Sequence, residues 1–398
     1  MQYDVVVIGA GIVGLATALK IKEKNKSLHI LVLDKEQEVA AHQTGHNSGV
    51  IHSGLYYKPG SLKALNCIKG YNMLLKFCNE NQMQYELCGK VVVSTSDSET
   101  AYLHQLLSRG KENGLAGLKL LSAGELKERE PHVNGIEAIF VPQTGIIDYK
   151  EISEKYASLF QSLGGGIHLG EKVIDIKKEK GQSTVVTSKA TYETTLVVNC
   201  SGLYSDKVAR FTEQKLDVKI IPFRGEYFEL KREKQYLVKH LIYPVPDPNF
   251  PFLGVHFTRM INGGIEAGPN AVFAFRREGY KKNNIHLGEL AESLTWPGFQ
   301  KVAGKYWKTG FGELYRSFSK AAFTKALQKL IPSIEAKDLV TGGAGVRAQA
   351  CDRTGGLIDD FMILENEQAI NVCNAPSPAA TSSLSIGNTV SDLVLKRF

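Results

Sequence analysis

The most chemically suggestive part of this sequence is a glycine turn near its start. Gly9-Ala10-Gly11-Ile12-Val13-Gly14 matches GxGxxG, directly after the β-branched run Val5 to Ile8 and ahead of a helical pattern. Such a turn works by lacking side chains: Gly9 permits the tight reversal, Gly11 lets backbone N–H groups approach a pyrophosphate, and Gly14 lets helix and strand pack closely. The start of the helix, with Ile12 and Val13 in its first turn, adds positive potential for phosphates. Asp34, followed by Lys35, stands about twenty residues beyond Gly14, where a carboxylate can accept hydrogen bonds from ribose hydroxyls. Histidine titrates near working pH and is the usual general base. Of ten histidines, His52 and His256 have polar and glycine neighbours, His46 ranks third, and nothing around His29, His104 or His286 suggests chemistry. Arg347, between Gly345 and Gln349, offers a guanidinium fork that a carboxylate matches bidentately.

These residues need a scaffold. The opening stretch reads strand, turn, helix, strand, with Val13, Ala16 and Leu19 at helical spacing, and so forms one βαβ unit. A parallel unit has to continue into a larger sheet covered on both faces. Leu196 to Cys200 and Ala369 to Cys373 are the candidate further strands, the second leading through a Pro/Ser turn into a closing amphipathic helix with Ile386, Val390, Leu393 and Val394 on one side. Alternating stretches such as GKVVVST, PFRGEYFELK and AVFAFR suit an antiparallel sheet. The expected fold is therefore α/β: a Rossmann-like dinucleotide-binding domain made of residues 1–79, 146–214 and 336–398, with an antiparallel-sheet substrate domain inserted as 80–145 and 215–335.

Two features favour FAD over a pyridine nucleotide. Val197 to Asp206 resembles the second flavoprotein signature, a strand ending in a small-residue turn that includes Ser201 and Gly202. A helix expected to begin near Ala379, with Ala380 and Thr381 at its start, would aim its dipole at the pyrimidine end of a flavin, where negative charge develops on reduction.

At His42 to Ala64 (HQTGHNSGVIHSGLYYKPGSLKA) a family resemblance becomes close, and FRGEYFEL, LGVHFTR, EAGPNAVFAF, GAGVRAQ and NAPSPAATSS extend it over nearly the whole chain. The sequence resembles the L-2-hydroxyglutarate dehydrogenase/oxidase family, within the glycine oxidase and D-amino-acid oxidase superfamily. That resemblance implies noncovalent FAD, oxidation of L-2-hydroxyglutarate to 2-oxoglutarate, and electron delivery to a membrane quinone pool. Thr44, Ser48, Gly49, Val173 and Gly345 join the expected cofactor contacts. One departure is Asp34, where flavoproteins of this kind commonly carry Glu; the shorter acid can do the same job.

Oxidising a 2-hydroxy acid needs a hydride acceptor (flavin N5), a base for the hydroxyl proton and cations for the carboxylates. His52 and His256 rank level as the base, each also readable as a hydrogen-bonded structural histidine. The loop carrying His52 runs past the flavin ring in the superfamily, and strand alternation directs His256 and Thr258 to one face. Arg347 resembles the arginine with which glycine oxidase and its relatives hold a substrate carboxylate, the alternative being a surface ion pair. Arg259 is a candidate for the distal carboxylate or for a surface face, Gln349 for a substrate contact, and Tyr56 and Tyr227 for hydrogen bonding or lining the pocket.

Composition sets the bounds. With 43% hydrophobic and 22% charged residues the chain is an ordinary globular sequence. Its apolar runs are strand-length, far short of a membrane span, and the start lacks a signal or transit pattern, so a cytoplasmic protein is expected. Six scattered cysteines without CxxC predict no metal site, Cys200 and Cys351 read as packing residues, and Ser201 lacks the GxSxG elbow. The net charge of +7 is spread along the chain without a basic block or RNA-binding motif, which argues against a nucleic-acid partner such as a flavin-containing RNA-binding protein would have. An amine or amino-acid oxidase, or a glycerol-3-phosphate dehydrogenase, is the nearer alternative. Residues 296–320 combine Trp296, Phe299, Tyr306, Trp307, Phe311 and Tyr315 with Lys301, Lys305, Lys308, Arg316 and Lys320. That mixture suits peripheral contact with the inner membrane or, equally, a helical cap whose aromatics are buried.

Overall fold

The computed structural model describes residues 2–213, 215–247 and 253–398; the expected domain boundaries at Met1 and Gln214 fall outside them. The opening strand Gln2–Ile8 lies inside an eight-stranded sheet, between Thr191–Asn199 and Ile30–Leu33 and parallel to both. Their apolar runs at residues 5–8, 30–33 and 196–198 are buried because both faces are covered, one by helices and the other by Ile176 and Val185 of an antiparallel strand pair and Val208 of the helix Ser205–Thr212. The helix Ile12–Lys24 buries Leu15, Ala16 and Leu19 between this sheet, the helix Tyr149–Ser162 and the C-terminal helix Ser383–Leu395. Ala369–Asn374 extends the sheet in parallel beyond Thr191–Asn199. The parallel strands thus come from both ends and the middle of the chain, and their carboxyl ends meet at one edge, where ligands of open α/β sheets bind.

The second sheet has nine strands. Its backbone is the long antiparallel pair Val218–Leu230 and Leu339–Asp352, in register from Val218 opposite Asp352 to Leu230 opposite Leu339. One pair in it is parallel, Leu241–Pro244 beside Lys90–Ser94. A small sheet of Val50–Ile51, Gly145–Ile147 and Tyr85–Glu86 lies between the large ones in chain order.

Two placements differ from the sequence reading. Residues 339–352, grouped with the nucleotide domain on sequence, pair with Val218–Leu230 in the second sheet. A strand as long as Val218–Leu230 leaves a row of N–H and C=O groups to satisfy, and the extended Leu339–Asp352 segment supplies them. The last helix starts at Ser383 rather than near Ala379. Residues 376–382 form a turn closed by Ala379 N donating to the Pro376 carbonyl and Ser382 N to the Pro378 carbonyl, both at 2.9 Å.

Helices Leu287–Leu294, Pro297–Phe318 and Lys320–Leu327 pack beside the second sheet. The middle one kinks at Tyr306 (φ −110°, ψ 18°). Before the kink, Phe299 and Val302 are buried with Trp296, whose indole N–H donates to the Cys351 carbonyl at 3.1 Å. After it, the pattern faces solvent. No helix among the described residues is long and apolar enough to cross a membrane.

Candidate active site

A cavity of about 1080 Å³ follows the carboxyl edge of the parallel sheet and continues along the second sheet. One end is built from backbone. Gly9 takes φ +111°, where a side chain would also collide with the Cys200 carbonyl, and a Cβ at Gly14 would overlap the Gly9 carbonyl oxygen. Gly14 therefore acts from behind the wall, fixing helix against turn, while Gly9, Gly11, Ile12 and Val13 line the space. Thr44 Oγ1 accepts from Ile12 N at 3.1 Å, tying the following loop to the helix start. Asp34 Oδ2 accepts from Ala10 N at 2.7 Å, and Oδ1 from Glu36 N at 2.9 Å. The carboxylate is thus held against the turn at the edge of the cavity. Lys35 lies 2.5 Å from Glu278, and His42 bonds both Glu36 and Glu278 at 2.9 Å. Burial would raise the Glu278 carboxyl, but hydrogen bonds from His42 and Lys35 outweigh it and hold the group at about 2.

The other end is built from side chains. His52, Tyr56, Tyr57, Lys63, Tyr227, Tyr243, His256, Arg347 and Gln349 all line it. Arg347 reaches it from the long strand beside Gly345. His256 is buried, its ring tilted 32° against that of Tyr243 with centroids 3.9 Å apart, and its Nδ1 lies 2.8 Å from the Gly254 carbonyl. A carbonyl can only accept, so Nδ1 carries the proton and Nε2 keeps its lone pair. His52 is anchored through its backbone N–H to Thr381 Oγ1 at 3.1 Å, and its Nε2 lies 3.5 Å from Ser377 Oγ. Burial, with Lys90, His256, Lys63 and Arg347 nearby, pushes His52 down to about 3. Burial and the cations Arg347 and Lys90 also bring His256 to about 3, against the pull of its Gly254 hydrogen bond. Both imidazoles are neutral at neutral pH, in a field that favours anions.

Most of the sequence-predicted residues meet in this one cavity. Lys35, Ser48, Val173, Ser201, Gly202, Gly345, Ala380 and His46 line it together with the groups above. Gly49 instead pairs with Ile147, its carbonyl accepting from Ile147 N at 2.8 Å. Thr381 lies buried behind the wall, holding His52 and bonding the Tyr149 hydroxyl at 2.7 Å. Thr258 is buried outside the lining. Arg259 points elsewhere: at the end of its strand, on the face opposite His256 and Thr258, its guanidinium grips Glu86 at 2.8 and 3.1 Å, and neither residue lines the cavity. Gln349 has its amide nitrogen engaged by the Ala350 and Ile358 carbonyls at 3.2 and 3.1 Å. Sequence reasoning missed Tyr243, Lys63 and Lys90. Lys63 sits in the quoted KPGSLKA motif, whereas Tyr243 and Lys90 occupy ordinary strand patterns that carry no chemical signal.

The glycine turn, the dipole of the first helix and the acid beside it fit a dinucleotide, and the cavity is continuous from there to the histidines and Arg347. The sequence profile of the FAD dependent oxidoreductase family matches residues 4–393, and the chain belongs to that family; its cofactor is FAD. Within it, the chain is 64% identical over 399 residues to L-2-hydroxyglutarate dehydrogenase of Indibacter alkaliphilus, covering 100% of both, and 44% identical to that of Escherichia coli strain K12, covering 97% and 92%. It is a member of that group of dehydrogenases. Among solved structures, FAD-bound L-alpha-glycerophosphate oxidase from Mycoplasma pneumoniae superposes with a TM-score of 0.80 at 21% identity, covering 100% of this chain and 95% of that one. Glycine oxidase from Geobacillus kaustophilus gives 0.75 at 15%, with the same coverage. These two share the fold.

Proposed function

We propose that the protein oxidises L-2-hydroxyglutarate at C2 to 2-oxoglutarate and passes the electrons to a quinone at a membrane surface. The observation that carries this reading is the convergence of Arg347, His52 and His256 at one end of a cavity whose other end is the glycine turn. FAD, when bound there, supplies the hydride acceptor. Arg347 holds the C1 carboxylate and orients the substrate. His256 takes the hydroxyl proton at Nε2, the nitrogen its Gly254 hydrogen bond leaves open. Burial depresses both histidines most and the surrounding cations add to it; a dianion entering this pocket offsets the cationic part, so substrate binding raises the basicity that deprotonation requires. His52, tethered at Thr381, supports the same proton transfer from the facing loop.

The reaction is tested anaerobically by following the flavin absorbance while L-2-hydroxyglutarate, its D-enantiomer, glycine and glycerol 3-phosphate are added separately. Bleaching by the L-hydroxy acid alone is expected. Bleaching by glycine or glycerol 3-phosphate instead would reassign the substrate.

Membrane contact is supported by the second half of the kinked helix. Trp307, Phe311, Tyr315 and Phe318 follow one helical face and are 55%, 65%, 66% and 72% exposed. Lys308 lies over the Trp307 ring at 5.6 Å and Lys282 over Phe318 at 5.1 Å. Exposed aromatics ringed by lysines match the headgroup region of an anionic bilayer. Flotation with anionic liposomes should be lost when Lys301, Lys305 and Lys308 are changed to Glu, with turnover of a water-soluble acceptor dye unchanged; equal flotation would remove the membrane from this reading.

A further inference from the structure

Lys90 opens the strand Lys90–Ser94 and is 1% exposed. Among the described residues two other lysines are buried, and both donate to carbonyl oxygens: Lys22 to Lys26 and Leu28 at 2.8 Å, Lys219 to Glu292 at 3.0 Å. Lys90 is packed differently. Its Nζ lies 4.4 Å from the centroid of the Tyr56 ring and 5.1 Å from that of Tyr243, and both rings line the substrate end of the cavity. The Tyr56 hydroxyl is itself buried and has no hydrogen-bond partner among the described residues. Register explains the placement: Lys90 pairs with Leu241 and Val92 with Tyr243, so Lys90 and Tyr243 share the face turned toward the pocket.

A lysine in such a position is costly to keep charged, and the two aromatic faces repay part of that cost. The titratable groups facing it are the Tyr56 and Tyr243 phenols, the Cys67 thiol and the His52 and His256 imidazoles. No carboxylate is among them. On the open side of the pocket the lining cations are Arg347 and Lys63, the latter held 2.6 Å from Asp359, whereas a dicarboxylic acid brings two further negative charges.

We propose that Lys90 is the buried counter-charge of the substrate pocket, a positioning residue that takes up a proton behind the Tyr56 and Tyr243 rings when a dicarboxylate binds in front of them. This rests on the reading of the substrate as a 2-hydroxy dicarboxylic acid. Lys90 converts from –NH2 to –NH3+ with a proton drawn from solvent, and the charge gained offsets part of the dianion. Burial brings the lysine to about 7, close to balance between the two forms at neutral pH, while both histidines titrate far lower. An anion within a few ångströms in a poorly solvated pocket shifts that balance strongly toward the cation. Selection of a dicarboxylate over a monocarboxylate follows, because a single negative charge is already met by Arg347.

The test uses the FAD-loaded enzyme and 2-oxoglutarate, the expected product, which binds without turnover. Titration calorimetry at pH 7 in buffers of different ionisation enthalpy should show wild-type enzyme taking up about half a proton per ligand bound. The wild-type Kd should rise by up to about tenfold per pH unit above pH 7, where the free lysine is neutral, and level off below it. K90M keeps an unbranched apolar chain of similar length; it should lose the proton uptake, flatten the pH profile and weaken 2-oxoglutarate about tenfold at pH 6, while 2-oxobutyrate, lacking the second carboxylate, changes far less. Proton uptake by flavin-loaded K90M equal to wild type would overturn the proposal. If K90M cannot hold flavin, the wild-type profile decides alone, and a Kd flat from pH 6 to 9 overturns it. Failure of wild-type enzyme to bind 2-oxoglutarate would overturn the substrate assignment, and this proposal with it.

Discussion

The two ends of the cavity are made in opposite ways. At the nucleotide end, the wall comes from a few consecutive residues whose backbone does the binding, and the requirement on sequence is that side chains be missing. At the substrate end, His52, Tyr56, Lys63, Tyr227, Tyr243, His256 and Arg347 arrive from separate loops, helices and strands, and each contributes a side chain. A backbone site is intolerant of added atoms. A side-chain site is intolerant of displaced charge.

Substitutions should separate the two behaviours, and the largest effect belongs to the backbone end. Gly14→Val places atoms where the Gly9 carbonyl already lies; overpacking there costs about 3 kcal/mol, and the purified protein should be colourless by absorbance. If it stays yellow, the close approach of helix and turn is not what holds the cofactor. Next comes Arg347→Met, expected to lower kcat/KM roughly 1000-fold, about 4 kcal/mol, with the flavin spectrum intact. A loss of flavin in this variant would erase the distinction between the ends. His256→Gln should lower kcat roughly 100-fold with KM little changed, and His52→Gln less, as expected if His256 is the base. The reverse order, measured by stopped-flow reduction of the flavin, would hand the proton to His52. The smallest effect is expected of Asp34→Asn, which keeps the Ala10 contact in part and should weaken FAD binding about tenfold, about 1.4 kcal/mol, in a cofactor reconstitution assay.

The helix Pro297–Phe318 offers a second contrast within one element. Sequence composition left membrane contact and a buried cap equally open, and in the structure the first half of the segment is buried as a cap while the second half stands in solvent. Phe299 and Val302 close over Trp296, as a cap would, whereas Trp307, Phe311, Tyr315 and Phe318 stand in solvent beyond the kink. The apolar periodicity is similar on both sides of Tyr306. Only the presence or absence of a facing surface distinguishes them, and no window of sequence contains that information.

By itself the sequence determined the βαβ start, the glycine turn with Asp34, the two-sheet α/β plan and, through long motifs, the family. Local rules suffice for these: a turn that must be bare of side chains, a strand that must be apolar on both faces, and a helix that must follow directly. Tertiary structure decided what those rules do not reach. It moved residues 339–352 into the second sheet, because a long strand needs a partner of equal length. It turned Arg259 outward to Glu86 and left Arg347 lining the pocket, although both are arginines in quoted motifs. It set the tautomer of His256 through the Gly254 carbonyl, and it placed Lys90 behind two tyrosines from different parts of the chain. Charge, burial and hydrogen-bond partners are properties of neighbours in space, and at the substrate end those neighbours are far apart in sequence.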